Sequence, residues 1–508
     1  MEPEMREFLE KGLVSAARMR AVEGNAITLG VGSLQMMESA GRALAGMALE
    51  FSPSRVLVLC GRGRNGGDGM AAARYLQNLS TDVIYASDGP LAPETEVQLR
   101  ILAGSAVILY PVKCASDVDV LSPLFAAADV IIDALIGTGA SGTAREPISR
   151  CVELASGTKV PIIAADLPTL GMRATRICAF HRPKTEGAEV ADIGIPLAAE
   201  VFMGPGDLTL VPRRAANARK GENGEVLVIG GGPYQGAPYL AGLGALRAGA
   251  DIVRIASPVF EPVPDLIHER LEGDRISTGH LERILGLVER ADAVVVGNGL
   301  GTESHDVVLA VADAARKAVF DADALRLPLP VSKETIYTPH AGEFQRMTGN
   351  LPPEGLVDRG RAVLEAAGGG VVGRKPALPV FSTTGHSNER PVVGRKPASG
   401  VFSTTGHFNE RPVVLLKGPV DVISDGSRVR FNPTGSPAMA VAGTGDVLAG
   451  VTGALLCRLP AFEAACIAAY VNGSAGMIAA QKRGDGMTAS DLVDEIPSVL
   501  FAGGAGNG

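Results

Sequence analysis

The chain has 508 residues, which is long enough for two or three domains with separate cores, and its 46% hydrophobic and 20% charged residues indicate a folded protein. Its net charge of −8 and pI near 5.6 argue against nucleic acid or an anionic membrane surface as the main partner. Aromatic residues make up 4% of the chain and Trp is absent, so the stacking surfaces of a single-strand nucleic-acid binder are not expected.

The sequence predicts a cytoplasmic protein. Residues 1–11 carry four glutamates and lack the apolar core of a signal peptide. The most apolar late region, about residues 450–480, is interrupted by Arg458, Pro460 and Glu463, which predicts buried helices rather than a membrane span. The six cysteines lack C-x-x-C spacing and are expected to be buried, reduced thiols: Cys60, Cys114, Cys151, Cys178, Cys457 and Cys466.

Short β-branched runs alternate along the chain with longer stretches rich in Ala and Leu, and Gly-rich turns follow several of these runs. This pattern predicts parallel strands in βα units, and therefore an α/β fold. A break near residues 211–214 indicates two domains, residues 1–212 and 220–502, with a linker at 213–219. The runs predicted to be strands are residues 55–60, 130–136, 160–164, 225–229, 293–296 and 413–417.

Three predicted strands of the N-terminal domain end in polar residues. The strand at residues 55–60 precedes a Gly-rich loop at 61–69 and a helix through 70–76, although the glycine spacing matches a dinucleotide fingerprint only loosely. A strand at 129–136 runs into a second Gly-rich segment, which predicts an anion cradle. The third strand ends at Asp166 and Thr169. Because the carboxyl ends of parallel strands meet at one edge of a sheet, these residues are predicted to form a site there.

Together with residues 33–41, these motifs resemble those of the NAD(P)H-hydrate epimerases over about residues 4–212. The resemblance implies a Rossmann-like three-layer α/β/α domain in which Asp166 moves the proton at the hydrated carbon. It also implies a K⁺ ion held by Asn65, Asp133 and Thr169. The residues implied to bind the hydrate are Arg64, Asn65, Gly66, Gly67, Asp68, Gly137, Thr138, Gly139, Ala140, Ser141, Gly142, Thr143 and Asp166.

This domain departs from the family pattern at two places. Arg64 stands where the family usually has Asn, and Thr169-Leu170 stands where it usually has Ser-Gly. Thr169 retains a hydroxyl oxygen for a cation, whereas Leu170 restricts the backbone relative to Gly. An alternative role for Asp133 and Asp166 is N-capping of the helices that follow their strands.

Residues 373–414 consist of two consecutive 21-residue units that differ at only three positions, Leu378/Ser399, Pro379/Gly400 and Ser387/Phe408. The units together contain six Lys and Arg against two Glu, and they are too few and too polar to form a solenoid. We predict a duplicated insertion that forms a mobile surface loop. The alternative is a basic flap over the nucleotide, which would use Arg374, Lys375, His386 and their copies.

Residues 441–450 (VAGTGDVLAG) place two glycines and a threonine directly before an aspartate and an apolar helical segment. Such a turn points backbone N–H groups and the positive end of a helix at one spot, which suits a phosphoryl group in transfer. The predicted anion hole consists of Gly443, Thr444 and Gly445. Asp446 then stands beside it, placed to take a proton from an attacking hydroxyl.

The C-terminal domain resembles the ribokinase-like superfamily, and within it the ADP- or ATP-dependent NAD(P)H-hydrate dehydratases. The supporting segments are residues 220–224, 236–238, 297–301, 337–343, 416–421 and 432–440, in addition to the turn at 441–450. The resemblance implies a ribokinase-like α/β/α domain in which a nucleotide with Mg²⁺ phosphorylates the ring hydroxyl of the hydrate, after which phosphate is eliminated. Asp446 is implied to be the base.

The same resemblance assigns the binding residues of this domain. Those implied to bind the AMP part of the nucleotide are Lys417, Gly418, Pro419, Val420, Asp421 and Gly445, and those implied to bind the hydrate are Ala237, Gly299, His340 and Asp446. Taken alone, His340 is also typical of a turn residue that bonds backbone groups, and Lys417 of a solvated lysine at a strand end. Asp321 and Asp323 are expected to cap the next helix and are not part of the predicted site.

Both halves thus resemble enzymes that act on the same damaged cofactor. The combination predicts a bifunctional enzyme, an isomerase that interconverts the R and S hydrates of NADH and NADPH fused to a lyase that uses ADP to convert the S hydrate into NAD(P)H, AMP and phosphate. We expect small-molecule partners, no nucleic acid, no membrane and a homo-oligomer. The alternatives are a ribokinase-like kinase acting on a vitamin or sugar hydroxyl, and an N-terminal domain that only binds, as in scaffold proteins of mRNA decapping.

Overall fold

A computed structural model describes residues 3–137, 144–370 and 411–501. The chain divides into two compact units, Met1–Pro212 and Arg213–Gly508. Each unit contains its own β-sheet, so each is described separately.

The first unit is built on a seven-stranded parallel sheet in the order β3-β2-β1-β4-β5-β6-β7. Its strands are β1 (Arg55–Cys60), β2 (Ser80–Ala86), β3 (Ile108–Val112), β4 (Val130–Ala134), β5 (Ile162–Ala165), β6 (Arg176–Phe180) and β7 (Glu189–Ala191). Its helices are α1 (Ala16–Thr28), α2 (Ser33–Leu49), α3 (Arg64–Tyr75), α4 (Pro93–Leu102), α5 (Ala115–Val120), α6 (Ser122–Ala127), α7 (Ile148–Ser156) and α8 (Leu197–Val201).

Both faces of this sheet are covered. Along β1, Val56 and Val58 belong to one hydrophobic cluster, which includes Leu44 of α2. The intervening residue Leu57 belongs to a second cluster, which includes Phe125 of α6. Successive side chains of a strand point to opposite faces, so the apolar run of β1 is buried between two helical layers. This is the three-layer arrangement predicted from the sequence.

The second unit has a nine-stranded sheet in the order β10-β9-β8-β11-β12-β13-β14-β15-β16. Strands β8 to β14 are parallel, whereas β15 and β16 are antiparallel to their neighbours. The strands are β8 (Glu225–Ile229), β9 (Ile252–Ser257), β10 (Ile267–Arg270), β11 (Ala293–Val296), β12 (Lys317–Phe320), β13 (Glu334–Tyr337), β14 (Val413–Leu416), β15 (Asp421–Ser424) and β16 (Val429–Asn432). The helices are α9 (Ala237–Arg247), α10 (Leu281–Val288), α11 (His305–Ala314), α12 (Ala341–Thr348), α13 (Leu356–Glu365), α14 (Thr444–Leu456), α15 (Ala461–Arg483) and α16 (Ala489–Leu500).

Each sheet has one point at which the strand order reverses, between β1 and β4 in the first unit and between β8 and β11 in the second. In open α/β sheets, ligands bind outside the carboxyl ends of the strands at such a point. The two reversals therefore mark the places where the predicted sites should be sought. The parallel α/β fold predicted from the sequence is confirmed.

Three local expectations differ from the structure. Helix α3 begins at Arg64, so most of the predicted Gly-rich loop is helical. Val413 and Val414 belong both to the predicted strand at 413–417 and to the predicted loop at 373–414; they lie in β14, which confirms the strand and not the loop, whereas the duplication up to residue 410 lies outside the described residues. Cys114 is exposed rather than buried.

No helix within the described ranges combines the length and the apolar character that a membrane crossing requires.

Candidate active sites

The turn before α14 has the geometry of an anion site. Gly443 adopts φ 97°, and a Cβ there would lie 2.4 Å from Leu240 Cδ1, so only glycine fits this position. The Thr444 hydroxyl donates to the carbonyl of Met439 at 3.0 Å and thereby braces the turn. The first N–H groups of a helix have no partner within the helix, so those of Thr444 and Gly445 can bind an anion.

Asp446 lies in the first turn of α14 and is held by one side chain. Asn298, directly after β11, donates from Nδ2 to Asp446 Oδ1 at 2.8 Å. Burial raises the pKa of Asp446 to about 6, and the Asn298 hydrogen bond opposes that rise. A carboxylate with a pKa near the working pH is suited to accept a proton and return it.

Asp321 connects Asp446 to the neighbouring strands. Its side chain is 2% exposed and accepts hydrogen bonds from Asn298 Nδ2 at 3.0 Å, Thr338 Oγ1 at 2.8 Å and Lys417 Nζ at 2.9 Å. The expectation that Asp321 caps the next helix is wrong, because within the described part of the chain its carboxylate makes no capping hydrogen bond to the short helical turn that follows. Asp323 also has a different partner, since its Oδ2 accepts from the Gly301 N–H at 2.9 Å.

Lys417 lies at the carboxyl end of β14 and beside the anion turn. Burial acts to lower the pKa of its ammonium, but the carboxylates of Asp321 and Glu343 outweigh burial and hold the pKa above its usual value. A Cβ on Gly445 would lie 3.4 Å from Lys417 Nζ, so this cation adjoins the anion hole. Lys417 is therefore a paired, partly buried lysine rather than a solvated one.

The loop after Lys417 is held by Asp421, which accepts from the Gly418 N–H at 3.0 Å and from Asn432 Nδ2 at 3.0 Å. Burial raises the pKa of Asp421 to about 6. These contacts fix residues 418–420 as a turn between β14 and β15, next to the anion hole. Pro419 and Val420 lie within that turn.

Three of the residues predicted to bind the hydrate, Ala237, Gly299 and His340, follow strands β8, β11 and β13. Gly299 adopts φ 69°, and a Cβ there would lie 3.2 Å from Ala237 Cβ, so these two residues adjoin one another. His340 caps α12, with its Nδ1 accepting from the Gly342 N–H at 3.0 Å, and its side chain is 57% exposed. His340 caps the helix through Nδ1 alone. Its Nε2, which lies 3.3 Å from Glu343 Oε1, takes no part in the cap, so capping does not exclude contact with a ligand.

In the first unit, the predicted substrate loop is the first turn of α3. Asn65 is buried, whereas the Arg64 side chain is 60% exposed and lies 3.6 Å from Glu94. A Cβ on Gly66 would lie 1.9 Å from the Gly61 carbonyl oxygen. Glycine is therefore required here, because the helix backbone approaches the chain at Gly61 closely. Burial, followed by the charges of Asp166 and Glu23, raises the pKa of Asp68 well above its usual value.

Asp133 and Thr169 bind each other directly. Asp133 is fully buried in β4 and accepts from the Thr169 hydroxyl at 2.8 Å and from the Thr169 N–H at 2.8 Å. Burial raises the pKa of Asp133, and these hydrogen bonds oppose the rise. Asn65 lies nearby, because a Cβ on Gly137 would be 3.1 Å from Asn65 Cβ, and Gly137 continues the chain from β4. Within the described residues, the helix that follows β4 is α7, and its N-cap is Pro147, so Asp133 does not cap it.

Asp166 follows β5 with φ 67°, a left-handed conformation that non-glycine residues rarely adopt. Its Oδ1 accepts from Lys184 Nζ at 2.5 Å and from the Phe180 N–H at 3.3 Å. The Lys184 side chain is 3% exposed, so this ion pair is shielded from water. Such a backbone conformation persists only where surrounding contacts hold it, as those with Lys184 and Phe180 do here.

Sequence reasoning missed four residues in these two sites. Asn298 lies inside a segment that supported the family resemblance but received no role. Asp321 was assigned to capping, and Glu343 and Lys184 were not singled out. Polar residues next to the end of a strand are a signal for Asn298 and Asp321, whereas Lys184 and Glu343 lie farther along the chain and carry no such signal. Of the predicted residues, Thr138, Gly139, Ala140, Ser141, Gly142 and Thr143 lie outside the described residues.

Comparison with known protein families gives two matches. Residues 33–178 match the model of the YjeF-related protein N-terminus. Residues 226–385 and 408–498 match the model of NAD(P)H-hydrate dehydratase. The second match omits residues 386–407, a stretch about as long as one 21-residue unit.

Relatives with both halves align along nearly the whole chain. A bifunctional NAD(P)H-hydrate repair enzyme of Methanospirillum hungatei is 49% identical over 496 residues, which cover 97% of this chain and 95% of that protein. A bifunctional NAD(P)H-hydrate repair enzyme of Pyrobaculum aerophilum is 38% identical over 536 residues, which cover 96% of this chain and 98% of that protein. Among solved structures, the ADP/ATP-dependent NAD(P)H-hydrate dehydratase of Bacillus subtilis, co-crystallised with ATP and Mg²⁺, is 26% identical, covers 59% of this chain and 98% of that chain, and has a TM-score of 0.44.

The full-length relatives support the repair-enzyme prediction over the kinase alternative, because they combine the same two halves in the same order. With an epimerase-type domain and a dehydratase domain joined in one polypeptide, the chain belongs to the family of bifunctional NAD(P)H-hydrate repair enzymes.

Proposed function

We propose that the C-terminal unit uses ADP to dehydrate the S hydrate of NADH or NADPH, and that the N-terminal unit interconverts the R and S hydrates. The observation that carries the proposal is the continuous chain of contacts from Lys417 through Asp321 and Asn298 to Asp446. It joins a cation beside the anion hole to a carboxylate of raised pKa, which are the two groups that phosphoryl transfer to a hydroxyl requires.

In the dehydratase site, Asp446 would take the proton of the ring hydroxyl of the hydrate. The hydroxyl oxygen then bonds to the terminal phosphorus of ADP, the bond from that phosphorus to the bridging oxygen breaks, and AMP leaves. The N–H groups of Thr444 and Gly445 and the Lys417 ammonium would stabilise the charge on the transferring phosphoryl group. Phosphate finally leaves with the C–O electron pair while the adjacent ring carbon loses a proton, which restores the double bond of NAD(P)H.

Binding of the two substrates follows from the strand order. The AMP part of the nucleotide would lie over residues 417–421, at the ends of β14 and β15. The hydrate would lie against Ala237, Gly299 and His340, which follow β8, β11 and β13. In this arrangement Asp446 would reach the ring hydroxyl of the hydrate. Mg²⁺, bound with the nucleotide, would supply positive charge that neutralises the phosphates.

In the epimerase site, Asp166 would remove and return the proton at the hydrated carbon. The buried Lys184 ammonium pairs directly with Asp166 and holds its carboxylate in place. The first turn of α3 and the segment from Gly137 to Thr143 would bind the substrate phosphates.

A K⁺ ion is compatible with the residues around Asp133. Asp133 and Thr169 contribute oxygen atoms, and Asn65 Nδ2 is buried without a hydrogen-bond partner among the described residues. Rotation of the Asn65 amide would turn its oxygen to that unpartnered position. The ion would supply a fixed positive charge beside the Gly137 segment. The cytoplasmic location and the homo-oligomer remain predictions.

The test is an assay with K⁺, Mg²⁺ and a mixture of R and S NADH hydrate, in which ADP or ATP is added and NADH absorbance is followed. Complete conversion of both hydrates with ADP supports two working sites. Conversion that stops when the S hydrate is consumed would show an N-terminal unit that only binds. Absence of NADH with either nucleotide would refute the dehydratase.

Two variants assign the activities to their units. Asp446→Asn is expected to lower the dehydration rate by about 10²–10⁴-fold, the usual contribution of a general base, while R and S hydrates still interconvert. Asp166→Asn is expected to leave dehydration of the S hydrate intact and to stop consumption of the R hydrate.

A further inference from the structure

A third group of side chains lies beside the dehydratase site and has no role in the reaction described above. A cavity of about 430 Å³ is lined by Thr302, His305, Arg326, Leu327 and Arg346. Thr302 follows β11, Arg326 follows β12, and Arg346 lies on α12 after β13. The cavity is therefore at the same edge of the sheet as Gly299 and His340.

Among the described residues that line this cavity, two carry a guanidinium group, one carries an imidazole and none carries a carboxylate. Within the same described ranges, Arg326 Nε and His305 Nδ1 are buried without a hydrogen-bond partner. Arg326 also forms no ion pair there, which is unusual for a partly buried arginine in a chain of net charge −8. The unpaired N–H of Arg326 carries a free-energy cost that an anionic ligand would remove, whereas His305 donates from Nε2 to the Pro328 carbonyl, so its Nδ1 is an acceptor in the neutral ring.

Arg346 connects the cavity to the residues predicted to bind the hydrate. Its guanidinium lies 3.8 Å from Glu343 Oε1, and the same oxygen lies 3.3 Å from His340 Nε2. The Arg346 side chain is 52% exposed. An ion pair at this distance and exposure contributes little to stability, so the guanidinium can reorient towards a ligand. The cavity therefore begins one side chain away from His340.

We propose that Arg326 and Arg346, assisted by Thr302, form the subsite that binds the diphosphate of the hydrated dinucleotide. The inference rests on the proposed dehydratase function and specifies how that site holds the part of the substrate beyond the reacting ring. In a dinucleotide, one ribose separates the ring from the diphosphate, so the diphosphate must lie next to the ring site. Arginine forks match phosphate oxygens in charge and in geometry.

The nucleotide donor also carries a diphosphate, and Glu343, which lies 3.8 Å from Arg346, also lies 3.9 Å from Lys417 Nζ, so the strand order is what separates the two sources. The donor residues 417–421 follow β14 and join it to β15, whereas the cavity lies at the ends of β11, β12 and β13. The hydrate residues Gly299 and His340 follow β11 and β13. The cavity is therefore on the hydrate side of the site, and the two sources of diphosphate can be separated by kinetics.

The test compares Arg346→Ala, Arg326→Ala and the double variant with the wild type. Each loss of a charge-assisted hydrogen bond is expected to raise KM for NADH hydrate by about 10-fold, while kcat and KM for ADP change little. The matched control is Arg283→Ala, which removes an arginine of similar exposure (55%) that lies 3.3 Å from Glu269. A rise in KM for ADP instead would assign the cavity to the donor and overturn the inference.

Two further readouts distinguish diphosphate binding from a purely structural role of Arg346. With the hydrate of reduced nicotinamide riboside, which lacks the diphosphate, kcat/KM is expected to be the same in the wild type and Arg346→Ala. Calorimetric titration of the product NADH, which needs no turnover, is expected to show about 10-fold weaker binding to Arg346→Ala. Unchanged NADH affinity in both single variants would refute the subsite. If the wild type is inactive but binds NADH about 10-fold more tightly than Arg346→Ala, only the dehydratase proposal is refuted.

Discussion

At the scale of single residues, the Asn298 amide satisfies two carboxylates that would otherwise repel each other. Asn298 is fully buried, and its Nδ2 donates to both Asp321 and Asp446. Only an NH₂ group can donate two hydrogen bonds in this way, so the orientation of the amide is fixed by its neighbours. Asn298 acts through Asp446 and is therefore a positioning residue.

Replacing Asn298 should disturb both the rate and its pH dependence. Asn298→Ala is expected to lower kcat by about 10- to 100-fold, since a hydrogen bond to a buried charged group is lost. Because that bond lowers the pKa of Asp446, its loss should move the acid limb of the pH–rate profile to higher pH. Steady-state kinetics between pH 5 and 9, roughly the range in which such groups titrate, measure both effects.

Asn223→Ala is the matched control for this change. Asn223 is also buried and donates to a carboxylate, Asp251, at 3.2 Å, but it lies before β8 and away from the site. It should lower thermal stability without moving the pH–rate profile. An identical profile shift in both variants would contradict the positioning role of Asn298.

The raised pKa of Asp446 also predicts how stability depends on pH. Its pKa of about 6 in the folded protein exceeds its usual value of 3.8, so folding favours the protonated form. The stabilisation from the protonated carboxyl is present below about pH 4 and is lost as the pH rises to about 6. Asp446→Asn, which stays neutral, should therefore melt at a higher temperature than the wild type above pH 6. The difference should shrink towards pH 4, as differential scanning calorimetry can show.

At the scale of elements, α9 and α14 approach each other closely enough for their backbones to touch. A Cβ on Gly450 of α14 would lie 1.8 Å from the Ala241 carbonyl oxygen of α9, and a Cβ on Gly244 of α9 would lie 2.6 Å from the Val447 carbonyl oxygen of α14. Both helices begin at the predicted site, α9 at Ala237 and α14 at the anion turn. Glycines therefore set the spacing between the hydrate residues and the anion hole.

A single methyl group at this contact should have a large effect. Gly450→Ala is expected to destabilise the second unit by about 1–3 kcal/mol, as overpacking does, because the neighbouring atoms belong to a backbone that cannot move aside. The control is Gly286→Ala in α10, where an added Cβ meets no atom within 4 Å. That change should stabilise by about 0.5–1 kcal/mol, since glycine is costly inside a helix. Urea unfolding measures both variants, and equal effects would contradict the packing argument.

At the scale of the whole molecule, each unit has a complete sheet and its own site. The division falls between Pro212 and Arg213. Fragments 1–212 and 213–508 are therefore expected to fold separately, the first interconverting the hydrates and the second dehydrating the S hydrate. Circular dichroism and the NADH assay on each fragment test this expectation. A fragment that is folded but inactive until the other is added would show that the sites depend on each other.

The duplicated segment makes a second prediction at this scale. Deleting residues 386–406 leaves one complete 21-residue unit between α13 and β14, and the family match already skips residues 386–407. The dehydration rate and the affinity for ADP should be unchanged. A marked loss of ADP affinity would instead favour the alternative in which the second unit acts as a basic flap.

The sequence alone determined the fold class and the order of the βα units, and it supplied the residues predicted for both sites. These features rest on local patterns: apolar runs of strand length, glycines where the backbone approaches an anion, and Asp446 directly after them. Strands 55–60, 225–229 and 293–296 were predicted with the bounds that the structure has. Periodicity and turn chemistry act over a few residues and can be read without knowing the fold.

The tertiary structure decided which distant residues share a hydrogen-bond network. Asp321 resembles a helix cap in sequence, but its carboxylate lies where β11, β13 and β14 bring Asn298, Thr338 and Lys417 together. Lys184 and Asp166, 18 residues apart, form an ion pair only because β5 and β6 end side by side. Such contacts depend on strand order and register, which long-range packing sets, so no local pattern in the chain specifies them.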